Sequence, residues 1–165
     1  MTASASPLLD EDNAAFVQSG VSIVAASRGE DLVPSIARVS GCRVSVDRRA
    51  VSIYLPHSQA LELVEDVRAS GRIAVVFSRP STHRTLQLKA DDARVRPLQP
   101  GEASVVERYV ESFACEIEPL GHSRGQARAL LFCPEDDLVA IDCVPNAAFE
   151  QTPGPKAGTP LAPAQ

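Results

Sequence analysis

Short apolar runs with regular spacing divide the first half of the chain into predicted β-strands. Residues 21–26 (VSIVAA) run into a polar turn, which predicts the first strand of a hairpin, and residues 32–39 are its predicted partner. Two further short strands are predicted at residues 43–46 and 51–55, on either side of a charged turn. Successive short strands joined by turns are typical of an antiparallel meander.

The apolar spacing becomes helical in two later segments. One helix is predicted over residues 58–70, with Ser58 as its N-cap and Gly71 as its stop. A second, longer helix is predicted over residues 100–113. Each helix places its apolar residues on one stripe: Ala60, Leu63, Val64 and Val67 in the first, and Val106, Tyr109, Val110 and Phe113 in the second.

Three more strands are predicted around these helices. Residues 73–77 (IAVVF) are β-branched and uniformly apolar, which predicts a strand buried on both faces. Residues 85–95 begin with strict alternation and predict one long, half-buried strand with a bulge near Asp91. Residues 138–144 are predicted to be the last strand.

The predicted order is a helix, about five β segments interrupted by one helix, a long helix and a last strand. Antiparallel strands with segregated helices indicate an α+β fold built on a small barrel or curved sheet. Residues 1–9 are expected to be a flexible N-terminal tail and residues 10–151 the single domain. Residues 152–165 are rich in proline and glycine and are expected to be a C-terminal tail.

Composition narrows the function classes. Hydrophobic residues make up 44% of the 165-residue chain and charged residues 22%, as in ordinary globular proteins, and no apolar run approaches the roughly 18 residues of a membrane span. The net charge is −5, and no stripe of Lys and Arg interleaves with aromatic residues, so we expect no nucleic-acid partner.

The N-terminus lacks the features of a secretory signal, which predicts a cytoplasmic location. The four cysteines have no metal-ligand spacing, so no metal site is expected.

Three stretches together resemble the pyridoxamine 5′-phosphate oxidase-like, FMN-binding split-barrel family. They are the hairpin at residues 34–40, the strand ending in YLP at residues 54–56 with the helix after it, and the segment IAVVFSRPSTHRTLQLKADDARV at residues 73–95. The ending AFEQTPGPKAG at residues 148–158 resembles an uncharacterised branch of the same family. The resemblance implies an antiparallel split β-barrel with peripheral helices that forms a homodimer. It also implies FMN in a groove between the subunits, where the flavin carries out redox chemistry on a small-molecule substrate.

The resemblance also implies cofactor-binding residues in two places. Arg84 and Thr85 match the start of the family strand that contacts the FMN phosphate, and a guanidinium and a hydroxyl suit a dianion. Thr82 and His83 add donors in the same loop. The second place is the strand-to-helix segment, where a helix N-terminus near Ser58 would point free N–H groups at an anion. Its implied contacts are Tyr54, Leu55, Ser58 and Gln59.

Alternatives remain open at this stage. Members of the family commonly carry Arg or Lys in the helix-entry segment, where this chain has Gln59 and Ala60. A cofactor-free, non-catalytic barrel dimer is therefore one alternative, and a reductase of the same fold that uses the deazaflavin F420 is another. Arg38, which alternates with Ile36 on a strand, faces either a groove or solvent. No catalytic residue is identified, and Lys156, the lone basic residue after Glu150, argues against pyridoxamine phosphate as the substrate.

Overall fold

A computed structural model describes residues 6–161 of the chain as four α-helices and ten β-strands. The helices are α1 (Glu11–Val17), α2 (Leu61–Ser70), α3 (Ala103–Ile117) and α4 (Arg124–Leu131). The strands are β1 (Ser22–Arg28), β2 (Pro34–Val39), β3 (Cys42–Val44), β4 (Val51–Pro56), β5 (Ile73–Ser78), β6 (Thr85–Ala90), β7 (Arg94–Pro97), β8 (Leu138–Cys143), β9 (Ala147–Glu150) and β10 (Thr159–Pro160).

The strands form two antiparallel sheets around one main core. Sheet A has the order β10-β9-β6-β5-β1-β2, and sheet B has the order β3-β4-β8-β7. Side chains alternate between the two faces of each strand, and the inner faces bury residues such as Ile23, Phe77 and Ile53 almost completely. Together with the helices, this arrangement confirms the predicted α+β class.

Local sequence explains several of these elements. The hairpin of β1 and β2 forms as predicted, with Ala25 opposite Ala37. Helix α2 ends at Gly71, whose φ of 66° is the left-handed conformation that favours glycine, and the Gly71 N–H bonds the Val67 carbonyl at 2.8 Å. Helix α3 buries the predicted stripe, including Tyr109. The predicted stop and the predicted long helix are thus confirmed.

A close approach at Gly20 joins α3 to the start of β1. A Cβ atom built on Gly20 would lie 2.2 Å from the carbonyl oxygen of Ser112. The buried Tyr109 hydroxyl donates to the Val21 carbonyl at 2.9 Å, one residue further along. Since both contacts involve backbone, the middle of α3 is held against the end of sheet A.

Four predictions about the elements are wrong. The α-helix begins at Leu61 after a 3₁₀ turn at His57–Gln59, and no side chain caps it, so Ser58 is not the N-cap. Strand β5 is fully buried on one face only, and its other face, with Ala74, Val76 and Ser78, is partly exposed. The predicted strand 85–95 is two strands, β6 in sheet A and β7 in sheet B, since the chain crosses between sheets at residues 91–93. Strand β8 is not the last, because β9 and β10 extend sheet A beyond it.

Both predicted tails contain ordered residues. Leu9 is 1% exposed and belongs to the main core. Strand β10, within the C-terminal segment, pairs with β9, and the Leu161 N–H bonds the Ala148 carbonyl at 2.8 Å. Residues 1–5 and 162–165 lie outside the described part of the chain. Within that part, no helix has both the length and the apolar character to cross a membrane.

Candidate functional site

The outer face of sheet A lies on the side away from the core. Residues paired across neighbouring strands point to the same side, so the strand register defines three parallel rows. The rows are Ser22, Ser78 and Thr85; then Arg38, Val24, Val76, Gln87 and Phe149; then Ile36, Ala26, Ala74, Lys89 and Ala147. Helix α2 packs on the opposite, inner face, where Asp66 accepts from Ser35 at 2.6 Å. Ile36, Arg38 and Lys89 are exposed and the other side chains of these rows are partly exposed, so the rows form a platform that solvent reaches.

This platform is apolar and basic, although the protein as a whole carries a net charge of −5. None of its three rows contains an Asp or Glu, and it carries Arg38 and Lys89. Ile36 is 71% exposed, and the Lys89 ammonium lies 5.2 Å from the centre of the Phe149 ring. A planar, anionic molecule would meet apolar contact and positive charge here without carboxylate repulsion.

A row of hydroxyl groups closes one end of the platform. The Ser78 and Thr85 hydroxyls share a hydrogen bond of 2.8 Å, and Arg38 donates to the Ser22 hydroxyl at 3.3 Å. The Thr85 N–H donates to the Thr152 hydroxyl at 3.0 Å, so the C-terminal segment reaches the same end. Thr85, predicted from the sequence, is therefore on this surface, and Arg38, whose environment the sequence left open, faces it as well.

Arg84, the residue before β6, points its side chain away from the platform and towards α1. Its guanidinium donates to the Asp12 carboxylate at 2.6 Å and to the Asn13 side chain at 3.0 Å, and lies 4.3 Å from the centre of the Phe16 ring. All three partners belong to α1. Binding of a phosphate by Arg84 requires that the contact with Asp12 be broken or shared.

The other predicted residues of this loop lie beside Arg84. Thr82 and His83 are exposed in the turn between β5 and β6, and His83 has a φ of 61°. The Thr82 hydroxyl accepts from the Arg84 N–H at 3.4 Å, and the His83 carbonyl accepts from Thr85 at 2.9 Å. The four predicted loop residues are thus brought together at one end of sheet A.

The second predicted group lies in sheet B and the turn after it. Tyr54 and Leu55 are both fully buried in β4, so their side chains contact no ligand in this conformation. The Ser58 backbone N–H donates to the Asp137 carboxylate at 2.9 Å, and the Ser58 hydroxyl also bonds that carboxylate. Gln59 is exposed. The donors predicted to hold a phosphate at Ser58 are therefore already paired with an anion of the chain itself, which lowers the pKa of Asp137.

A cavity of about 280 Å³ opens where the platform meets the α3–α4 hairpin. It contains no carboxylate, and its polar lining includes Arg38 and His122. Its apolar walls are Pro80, Phe113, Ile117, Leu120 and Leu130. This volume lies just below the roughly 300–1,000 Å³ of pockets for drug-sized ligands, so the cavity suits a smaller organic molecule.

A buried carboxylate organises the opposite side of the molecule. Glu102 is 2% exposed and accepts hydrogen bonds from Arg96, Arg43, the Tyr54 hydroxyl and the Gln99 N–H, all within 2.7–2.9 Å. The Arg96 contacts are the main cause that lowers the pKa of Glu102 to about 2. Burial, followed by the bond to Glu102, raises the pKa of Tyr54 to about 12. The predicted cofactor contact at Tyr54 is thus a structural partner of Glu102.

Sequence reasoning missed this network and most of the platform. Tyr54 lies on β4, Arg96 on β7 and Glu102 directly before α3, and no motif links them. The platform residues are individually ordinary strand residues, and only the register shows that no acid lies among them. The one available signal was the alternation of Ile36 and Arg38 on a predicted strand.

Comparison with known proteins identifies the fold. No family model matches the chain, and no curated protein matches it in sequence. Among solved structures it is similar to HupZ of Group A Streptococcus, at 13% identity and a TM-score of 0.55, over 91% of this chain and 99% of that one. An F420 reductase aligns at 14% identity and a TM-score of 0.56, over 85% of this chain and 98% of that one. A candidate pyridoxamine 5′-phosphate oxidase from Lactobacillus delbrueckii aligns at 14% identity and a TM-score of 0.51, over 86% and 93%.

These likenesses confirm the predicted fold, the antiparallel split barrel of the pyridoxamine 5′-phosphate oxidase-like proteins. Identities this low establish architecture and leave the ligand and the reaction to be argued from the chain's own residues.

Proposed function

We propose that this split-barrel chain binds a flavin or deazaflavin on the outer face of sheet A, between two copies of itself, as an oxidoreductase acting on a small organic molecule. The observation that carries the proposal is the acid-free, apolar and basic platform that ends in a row of hydroxyls. The tricyclic ring would lie on side chains such as Val24 and Val76. When bound, the cofactor supplies hydride transfer, which side chains cannot perform.

The phosphate group would lie at the hydroxyl end of the platform. Arg38 carries a positive charge there, and no ion pair engages it within residues 6–161. Ser78 and Thr85 offer hydroxyls beside it, and charge-assisted hydrogen bonds are the stronger class. Arg84 remains the candidate that the family resemblance implies, at the cost of its contact with Asp12.

The exposed apolar residues of the platform support a second copy as its cover, whereas its charges require an anion between the copies. Two copies packed face to face would bury Ile36 and the partly exposed Val24 and Val76, but would also bring Arg38 and Lys89 near their equivalents. An anionic cofactor between the copies would offset that repulsion. Cofactor binding and dimerisation are therefore expected to strengthen each other.

The small-molecule substrate would enter the cavity between the platform and the α3–α4 hairpin. That cavity shares Ser22 and Arg38 with the platform, so its occupant would lie beside the cofactor. Its apolar walls would exclude water, and His122 and Gln126 supply hydrogen-bonding groups at the helical side. This arrangement favours a compact, largely apolar substrate with one polar group.

The test is a titration of the purified protein with FMN and, in parallel, with F420, followed by fluorescence quenching. Arg38→Gln should weaken binding about tenfold or more, because a charge-assisted hydrogen bond contributes roughly 1.5–3 kcal/mol. Arg84→Gln should change it little, since Asp12 holds that guanidinium. Arg108→Gln, an exposed arginine of α3 that contacts Ser104, is the matched control.

The outcomes separate the alternatives. If Arg84→Gln alone loses binding, the cofactor phosphate is assigned to the loop at residues 82–85. Saturable binding of F420 but not FMN would assign the deazaflavin. Binding of neither would contradict the proposal and favour the cofactor-free barrel. Light scattering with and without cofactor tests the dimer. Ile36→Asp on the platform is compared with Val46→Asp, an exposed valine in the turn between β3 and β4.

A further inference from the structure

The largest cavity described lies on the outer face of sheet B, on the other side of the core from the platform. Its volume is about 570 Å³, within the range of sites for organic ligands. A cross-strand row forms its floor, in which Arg43 faces Ser52, Ser52 faces Asp142, and Asp142 faces Arg94. We name this cavity the sheet-B cleft, and its further lining includes Val44, Val46, Asp92, Arg96 and Val144.

Two of the three acidic groups at the cleft are already paired with arginine. Asp142 accepts two hydrogen bonds from Arg96, at 2.6 and 3.0 Å, and one from the Ser52 hydroxyl at 2.7 Å. Glu102, beside the floor at the start of α3, accepts from Arg96, Arg43, the Tyr54 hydroxyl and the Gln99 N–H. Asp92 accepts the Val144 N–H at 2.9 Å and makes no ion pair within residues 6–161. Asp142 and Glu102 therefore leave little acceptor capacity for the arginines at the cleft surface, whereas Asp92 keeps acceptor sites.

The arginines at the two edges of the sheet keep free donors. Arg94 lies directly opposite Asp142, yet Arg96 takes that carboxylate, and Arg94 has no ion pair within residues 6–161. Arg43 makes a single contact, to Glu102, and its side chain is 47% exposed. A guanidinium has five donors arranged to bind carboxylate or phosphate oxygens in pairs. The cleft thus has a surplus of donors that suits an oxyanion.

Exposed apolar side chains complete the cleft. Val46 is fully exposed and Val144 is 50% exposed, and both line the cavity. Large exposed apolar residues beside a polar floor favour a ligand with an apolar body. The arginine donors and the two valines therefore describe an amphiphilic ligand.

We propose that the sheet-B cleft is a second ligand site, which binds an organic molecule with one carboxylate or phosphate group and an apolar body. The oxyanion contacts Arg94 and Arg43, and the body packs against Val46 and Val144. Glu102 and Asp142 hold Arg96 and Arg43 in place, so the floor is arranged before the ligand arrives. The site is independent of the proposed cofactor site on sheet A.

The test uses four probes on the full chain: phenyl phosphate, phenylacetate, inorganic phosphate and benzyl alcohol. Backbone amide NMR shifts are followed during each titration. Phenyl phosphate or phenylacetate should change the amide chemical shifts of β3, β7 and Val144 in a saturable way. The probe that binds more tightly indicates whether the ligand carries a phosphate or a carboxylate. Inorganic phosphate and benzyl alcohol should each bind about tenfold or more weakly, since each lacks one part of the ligand.

Variants locate the site. Arg94→Gln should weaken phenyl phosphate binding about tenfold, whereas Arg108→Gln, outside the cleft, should not change it. Equal loss in both variants would show attraction by overall charge alone and would overturn the proposal. Three other results would also overturn the proposal. They are amide shifts confined to sheet A, inorganic phosphate binding as tightly as phenyl phosphate, and a lack of saturation by either organic anion. Displacement of phenyl phosphate by FMN would overturn the independence of the two sites.

Discussion

Replacing Glu102 with glutamine tests the central electrostatic contact of sheet B. The carboxylate is almost completely buried and joins the N-terminal end of α3 to strands β3, β4 and β7 through Arg43, Tyr54 and Arg96. Glutamine keeps the shape of the side chain but loses the charge, and its amide places N–H donors against the donors of Arg96 or the Gln99 N–H. The change therefore perturbs charge and hydrogen bonding with little change in volume.

Two lines of reasoning give similar magnitudes. The pKa of Glu102 falls from its ordinary value of 4.5 to about 2, chiefly through Arg96. By linkage, a shift of that size corresponds to about 3 kcal/mol of folding free energy at pH 7. Removing one partner of a buried ion pair typically costs about 3–5 kcal/mol. We expect Glu102→Gln to destabilise the protein by about 3 kcal/mol, or roughly 6–12 °C in Tm for a chain of this length.

The pH dependence gives the sharper assay. Because the pKa of Glu102 is lower in the folded state, its contribution is complete well above pH 4.5 and is lost as the pH falls towards 2. Urea unfolding of both proteins from pH 7 to pH 3 should therefore show a difference that shrinks with acidity. Glu107→Gln, the same change at an exposed position of α3, is the control. A difference that stays constant with pH, or is absent at pH 7, would refute the reasoning.

The remaining predictions concern packing around α3 and the second helix of its hairpin. Gly20→Ala should destabilise by about 1–3 kcal/mol in thermal unfolding, because its Cβ meets the Ser112 carbonyl; wild-type stability would contradict that close approach. Gly125→Ala, with open space in α4, should be neutral or stabilise by up to about 1 kcal/mol in the same assay. Tyr109→Phe should lose about 1 kcal/mol in urea unfolding through its missing bond to the Val21 carbonyl, and an unchanged midpoint would show that this bond contributes nothing.

Much of the fold was predictable because periodicity is a local property. The β1–β2 hairpin, the Gly71 stop and the α3 stripe each follow from spacing within a few residues. The prediction for residues 85–95 failed because alternation is the same in either sheet, so it does not mark the crossing at residues 91–93. The prediction of a cap at Ser58 failed because its partner is Asp137, far along the chain.

The candidate site was predictable only in part. The start of β6 was predicted as a ligand-binding position from its resemblance to a family strand, and Thr85 does lie on the platform. The direction of the side chains next to Thr85 was not predictable. Arg84, for example, pairs with Asp12, which is 72 residues away in sequence. The sequence pattern carries no information on such a pairing, because any of several acids had suitable chemistry.

The sequence by itself determined the element types, the α+β class and the resemblance to a split barrel, because backbone geometry links residue spacing to local structure. Only the tertiary structure decided which charged side chains form ion pairs and which do not. Glu102 and Asp142 pair with Arg96, whereas Arg38 and Arg94 make no ion pair within residues 6–161. The physical reason is that charge pairing acts over a few ångströms in space, between strands whose register no local pattern specifies.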